Sequence, residues 1–122
     1  MSVSTSVLIV DDESTLCDVL ALYFEMEDFI VFKASNGNEA IEVLKQHPEI
    51  TFVLSDVRMP DGDGVFLLNQ VKQNSPAINM VMLSGFTESL ESDLIKSGAL
   101  ALFAKPTDPR KLIDFVKSKI AK

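Results

Sequence analysis

The chain has 122 residues, 47% of them hydrophobic, and sets 18 acidic side chains against 11 basic ones for a formal charge of −7. That size suits one ordinary domain that folds without a metal or disulfide staple, and the acidic balance repels a phosphate backbone, which weighs against direct nucleic-acid binding. No apolar run is long enough to span a bilayer and no basic segment leads into a signal core, so the expected setting is cytoplasmic, away from membranes.

Short apolar runs alternate with stretches of helical period, without repeats, linkers or low-complexity tracts. After a polar lead, Met1 to Thr5, the first strand is expected at Val7 to Val10. Ser14 to Glu27 follows as a helix, with Leu16, Val19, Leu20 and Tyr23 at helical spacing; among them lies Cys17, the single cysteine, which reads as a buried thiol and leaves no intrachain disulfide possible. Phe29 to Lys33 is the second strand, Asn36-Gly37 a turn, and Glu39 to Gln46 a helix that must stop before Pro48. Phe52 to Ser55 is the third strand, and the loop Pro60-Asp61-Gly62-Asp63-Gly64, whose glycines permit positive φ, leads to a helix at Val65 to Gln73. Met80 to Leu83 is the fourth strand. Glu88 to Ser97 is a more polar helix ended by Gly98, Leu100 to Ala104 is the fifth strand, and Pro109 opens the last helix.

Strand and helix alternating in this way give a doubly wound α/β fold, a parallel sheet with right-handed crossovers and helices on both faces. Ligands of such sheets sit beyond the carboxyl ends of the strands. Asp11, Asp12, Asp56, Ser84 and Lys105 all stand at expected strand ends, so five polar groups from four strands should share one crevice.

Three carboxylates crowded together repel, and a divalent cation removes the conflict. An all-oxygen site with few carboxylates and room for waters and a phosphate suits Mg²⁺ better than Ca²⁺. Asp61-Gly62-Asp63-Gly64 lacks the later glutamate of a calcium loop, and one histidine, His47, with one distant cysteine gives zinc little support. The available nucleophile is then a carboxylate, Asp56, able to attack phosphorus and form an acyl phosphate. The Lys105 ammonium and the Ser84 hydroxyl would offset the charge spread over the transferred group.

VLIVDDE, LSDVRMPDGDG, MVMLSG and SGALALFAKP resemble the receiver domain of two-component response regulators, and the match covers nearly the whole chain. The resemblance implies a flavodoxin-like sheet of order 2-1-3-4-5 with five helices, in one receiver domain over residues 1–122. It implies Asp56 as phosphoacceptor, with Asp12, Asp56 and the backbone carbonyl of Arg58 as Mg²⁺ ligands and Asp11 acting through water. Ser84 and Lys105 would contact phosphoryl oxygens, with a cis peptide between Lys105 and Pro106. The implied partners are a sensor histidine kinase or histidine phosphotransfer protein and a downstream effector or fused output domain. The chain ends after its last helix, so it either stands alone or is the N-terminal piece of a longer regulator.

Taken singly, each signal has an ordinary reading. An acidic pair can complement a helix dipole, Asp56 and Ser84 can start turns, and Lys105 can be a surface lysine. Jointly they are specific, because chance would have to place the right group at the ends of strands one, three, four and five. His47 reads as a helix-closing residue, the Asp61 to Gly64 acids as a solvated turn, and Phe24, Phe29, Phe32, Phe52, Phe66 and Phe115 as core.

Two features depart from the family's pattern. Where many receivers hold a tyrosine or phenylalanine switch this chain has Leu102, and its neighbour Phe103 should face the opposite side of the strand. Leu102 is expected to move with Ser84 in a smaller switch. Leu100, Ala101 and Leu102 also replace a more polar segment, which reads as burial beneath the fourth helix, or else as an apolar docking and dimer face on the fourth helix, fifth strand and fifth helix. Arg58 and Phe86 occupy places that resemble the family's controls on water access, and their bulk implies slow self-hydrolysis. Two other readings share these residues: an interaction module that works without phosphorylation, and an Mg²⁺ phosphatase with an aspartyl nucleophile. The phosphatase needs a second acid–base aspartate that Val57-Arg58 does not offer.

Overall fold

The computed structural model describes residues 4–59, 63–85, 91–105 and 107–120. Five strands, β1 (Ser6–Val10), β2 (Ile30–Ala34), β3 (Ile50–Asp56), β4 (Asn79–Ser84) and β5 (Ala101–Ala104), alternate with five helices. The helices are α1 (Ser14–Met26), α2 (Gly37–Gln46), α3 (Gly64–Asn74), α4 (Glu91–Lys96) and α5 (Pro109–Ile120). All the pairings are parallel and the sheet order is β2-β1-β3-β4-β5, as the resemblance implied.

Strands covered on both faces read as unbroken apolar runs, because side chains alternate between two buried layers. Leu8, Val10, Val53, Met80 and Met82 pack with Ala40, Leu67, Leu68, Val71 and Leu94 of α2, α3 and α4. Val7, Ile9, Phe52, Leu54, Val81 and Leu83 pack instead with Cys17, Ala21 and Phe24 of α1 and Leu112, Ile113 and Val116 of α5. Phe24 meets Phe29 edge-on at 5.1 Å between ring centroids.

Several expected bounds shift. Strand β3 runs through Asp56 and β4 through Ser84, whereas Phe29 and Leu100 fall just before their strands. The expected α4 start, Glu88, lies outside the described residues. Gly98 ends α4 with φ of +112°, a value glycine adopts without strain, as the amide of Ala99 donates back to Leu94 O at 2.9 Å. In α1 the inward face is Cys17, Ala21 and Phe24, while Leu16 and Val19 remain 49% and 45% exposed. Nearly every α1 position from Leu16 to Phe24 is apolar, so periodicity does not single out a face, and small Cys17 and Ala21 let the helix lie close on the sheet. Phe66 is likewise exposed rather than core, on the outer side of α3.

The loop before α3 also differs from expectation. Asp63 is not a solvated turn residue but the N-cap of α3, its carboxylate accepting from the Phe66 amide at 2.9 Å. Gly64 is needed for space, not for positive φ: a Cβ there would overlap the Asp56 carbonyl oxygen and lie 2.9 Å from both Met82 Cε and Val57 Cα. Pro60, Asp61 and Gly62 lie outside the described residues. His47 caps α2 as expected, its ring 4.2 Å from that of Phe32. No helix among the described residues is long and apolar enough to cross a membrane.

Candidate functional site

The carboxyl ends of β1, β3 and β5 gather four of the five expected polar side chains, and the fifth residue, Ser84, closes the neighbouring strand β4. Asp11, Asp12 and Asp56 each offer a carboxylate oxygen, all within 4.8 Å of one another. Lys105 Nζ lies 3.1 Å from Asp56 Oδ2 and 3.5 Å from Asp11 Oδ2, so one ammonium spans two of the acids. Ser84 is buried at the end of β4, and the Lys105 amide donates to its carbonyl oxygen at 2.8 Å, which holds the two residues at one height on the sheet.

Local bonding fixes the acids. The Asp11 amide donates to Ala34 O at 3.1 Å, and Asp11 Oδ1 accepts from the Glu13 amide at 2.9 Å. That turn directs the carboxylate back over the sheet. Glu13, not the acidic pair, is the N-cap of α1, and its side chain makes no capping bond, so Asp11 and Asp12 do not serve as caps. Asp12 is exposed, whereas Asp11 is buried and Asp56 nearly so.

Burial is the largest influence on Asp56 and pushes its pKa up; the Lys105 hydrogen bond and charge pull it down, and Asp11 and Asp12 push it up again, leaving it above the ordinary carboxylate value. For Lys105, burial works downward but is outweighed by its hydrogen bond and attraction to Asp56, with Asp11 adding, so its ammonium is held above the ordinary lysine value. Burial likewise raises the Cys17 thiol to about 11, with Asp11 adding, so it stays protonated and inert.

A set of hard oxygen donors this close, with one member exposed, fits a small divalent cation. Arg58 is exposed two residues beyond Asp56. Phe86 and Pro106 lie outside the described residues. Leu102 packs against the α2–α4 layer and Phe103 against the α1–α5 layer, where its ring meets Phe115 edge-on at 5.3 Å. Phe103 therefore faces away from Leu102. Leu100 packs with Phe103 on the α1–α5 side, so only Leu102 of that segment joins the layer that holds α4.

Gly64 and Asp63 were not among the residues expected to shape the site. A signal existed for both: an Asp-Gly pair directly before the apolar run Val65 to Leu68 is how a capped helix begins.

The model of the "Response regulator receiver domain" family matches residues 7–117. The chain belongs to that family. Receiver domains are phosphoacceptor switches that bind Mg²⁺ at an acidic pocket and interact with kinases and output domains. This receiver is 33% identical over 120 residues to the transcriptional regulatory protein YesN of Bacillus subtilis (strain 168), covering 94% of this chain and 32% of that protein. It is 30% identical over 115 residues to the transcriptional regulatory protein SrrA of Staphylococcus aureus (strain NCTC 8325 / PS 47), covering 94% of this chain and 47% of that one. The receiver thus spans less than half the length of these curated relatives. Among solved structures, CheY in the CheX-CheY-BeF3-Mg+2 complex from Borrelia burgdorferi superposes with a TM-score of 0.90 at 32% identity, covering 97% of this chain and 90% of that one. A CheY-like receiver from Methanospirillum hungatei JF-1 gives 0.88 at 27% identity, covering 97% and 94%.

Proposed function

We propose that this receiver accepts a phosphoryl group on Asp56 in the presence of Mg²⁺, from a phosphohistidine of a sensor kinase or phosphotransfer protein, and thereby changes which partner it binds. The observation that carries the reading is the Lys105 ammonium 3.1 Å from Asp56 Oδ2 inside a cluster of three carboxylates. Asp11, Asp12, Asp56 and the Arg58 carbonyl would hold the cation, which supplies charge neutralisation for the acids and the incoming phosphoryl oxygens.

An Asp56 oxygen attacks phosphorus in line as the phosphorus–nitrogen bond of the donor breaks, and the imidazole leaves with that electron pair. Lys105, already drawn to the acids, takes up the charge of a phosphoryl oxygen, and the Ser84 hydroxyl donates to another. Water later attacks the same phosphorus as its bond to the Asp56 oxygen breaks, releasing inorganic phosphate and returning Asp56 to a carboxylate, so the residue is consumed and regenerated. The bulk of Arg58 and Phe86 slows that step. Leu102 follows Ser84 into the space it leaves, biasing an existing two-state equilibrium with a smaller side chain than an aromatic ring.

The protein acts in the cytoplasm as one receiver unit over residues 1–122, passing its signal to an effector or a joined output domain. The transcriptional names of YesN and SrrA support a role in gene control. A dimer would use the face of α4, β5 and α5. Incubation with Mg²⁺ and acetyl phosphate, followed by intact mass, tests the reading: one phosphoryl adduct that disappears in Asp56→Asn supports it. Absence of an adduct at saturating donor favours a module that works by contact alone, for which Leu102 in place of an aromatic switch is the supporting observation. Turnover of a generic phosphoester would favour a phosphatase.

A further inference from the structure

Ser55 is a fully buried hydroxyl in the central strand, preceded by Phe52, Val53 and Leu54. Buried polar groups are kept where they bond, and the Ser55 hydroxyl donates to the carbonyl oxygen of the next residue, Asp56, at 2.9 Å. Gly64 closes on the same oxygen so tightly that no Cβ fits, while its amide donates to Val57 O at 2.9 Å. On the other side, the Val57 amide donates to Leu83 O, also at 2.9 Å. The peptide joining Asp56 to Val57 is therefore held from three directions at the point where the chain leaves the sheet.

Resting on the function proposed above, we infer that Ser55 is a positioning residue whose hydroxyl orients the Asp56–Val57 peptide so that the Asp56 carboxylate and the Arg58 carbonyl converge on one cation. The Asp56 side chain hangs from one end of that peptide, and the chain reaches Arg58 from the other end through Val57, whose own carbonyl oxygen accepts from the Gly64 amide. Turning the peptide shifts the direction of the Asp56 side chain and the course of the chain through Val57 toward Arg58, and a small divalent ion tolerates little departure from its preferred geometry. Groups that orient metal donors in this way affect affinity and rate without touching the metal. Were the hydroxyl only satisfying a buried acceptor, its loss would lower the melting temperature and leave the cation affinity unchanged.

Ser55→Ala, Ser55→Thr and Ser55→Val separate the two roles, because threonine and valine share a shape and differ in the hydroxyl. Three quantities are read for each: the Mg²⁺ dissociation constant from amide shift titration, the rate of adduct formation from acetyl phosphate at saturating Mg²⁺, and the melting temperature. Alanine and valine should weaken Mg²⁺ binding and slow adduct formation by about tenfold, with threonine staying much closer to the parent. Alanine matching the parent in both constants, whatever its melting temperature, overturns the inference. Where alanine fails to fold, threonine and valine with equal constants overturn it. A parent that binds Mg²⁺ yet forms no adduct defeats the functional reading alone, and the affinities still decide the role of Ser55. A parent that binds no Mg²⁺ overturns both.

Discussion

Asp56 carries its charge where burial and two neighbouring acids oppose it, and Lys105 only partly compensates. A carboxyl whose pKa is higher folded than unfolded binds its proton more tightly when folded. Stability therefore falls as pH rises from the unfolded carboxylate range through the folded pKa, and the deficit persists at neutral pH. In Mg²⁺-free buffer, Asp56→Asn should melt above the parent at pH 7, and the gap should close as the pH drops below the ordinary carboxylate range; melting curves across that range check it. The raised pKa of Lys105 gives the same direction of pH dependence in a higher window, but here the charged form is the favoured one: its stability is fully present at neutral pH and is lost as pH climbs from the ordinary lysine range through the folded value. Lys105→Ala should slow adduct formation from acetyl phosphate by about a hundredfold, the usual loss when one charge-stabilising group is removed. These residues were legible in the sequence because Asp11, Asp56 and Lys105 each close an apolar run, so strand ends could be located without coordinates. Ser55 was not, since a serine between leucine and aspartate carries no sign of where its hydroxyl points.

Helix α1 holds the clearest difference between pattern and packing. Its apolar residues cover so much of the circumference that the inward face is set by fit to the sheet, which favours small side chains near the helix start and Phe24 near its end. Phe24→Ala should cost about 4 kcal/mol in denaturant unfolding, as a ring is lost from a filled layer. Leu16→Ala, at a half-exposed position, should stay within about 0.5 kcal/mol. Strand β5 behaved as alternation requires, with Leu102 and Phe103 on opposite layers. If Leu102 couples to Ser84, Leu102→Ala will alter the spectral difference between resting and activated protein and its partner affinity; unchanged values would remove Leu102 from the switch. The polarity of α4 was readable, and its expected start, Glu88, lies outside the described residues.

At the scale of the molecule, the alternation of runs was enough for a parallel sheet with helices on both faces, while the strand order came from the resemblance and agrees with the sheet observed. A ligand that binds only the folded state stabilises it, so Mg²⁺ at ten times its dissociation constant should add about 1.4 kcal/mol, roughly 5 °C in melting temperature. Asp12→Ala should abolish most of that gain, as scanning calorimetry with and without the ion would register. The sheet keeps two apolar layers apart, one beneath α1 and α5 and the other beneath α2, α3 and α4. Substitutions on the outer turns of α1 or α5 can thus change which surface a neighbour meets while the opposite layer keeps its fit. The two sides of the sheet can therefore drift at different rates as such molecules diverge.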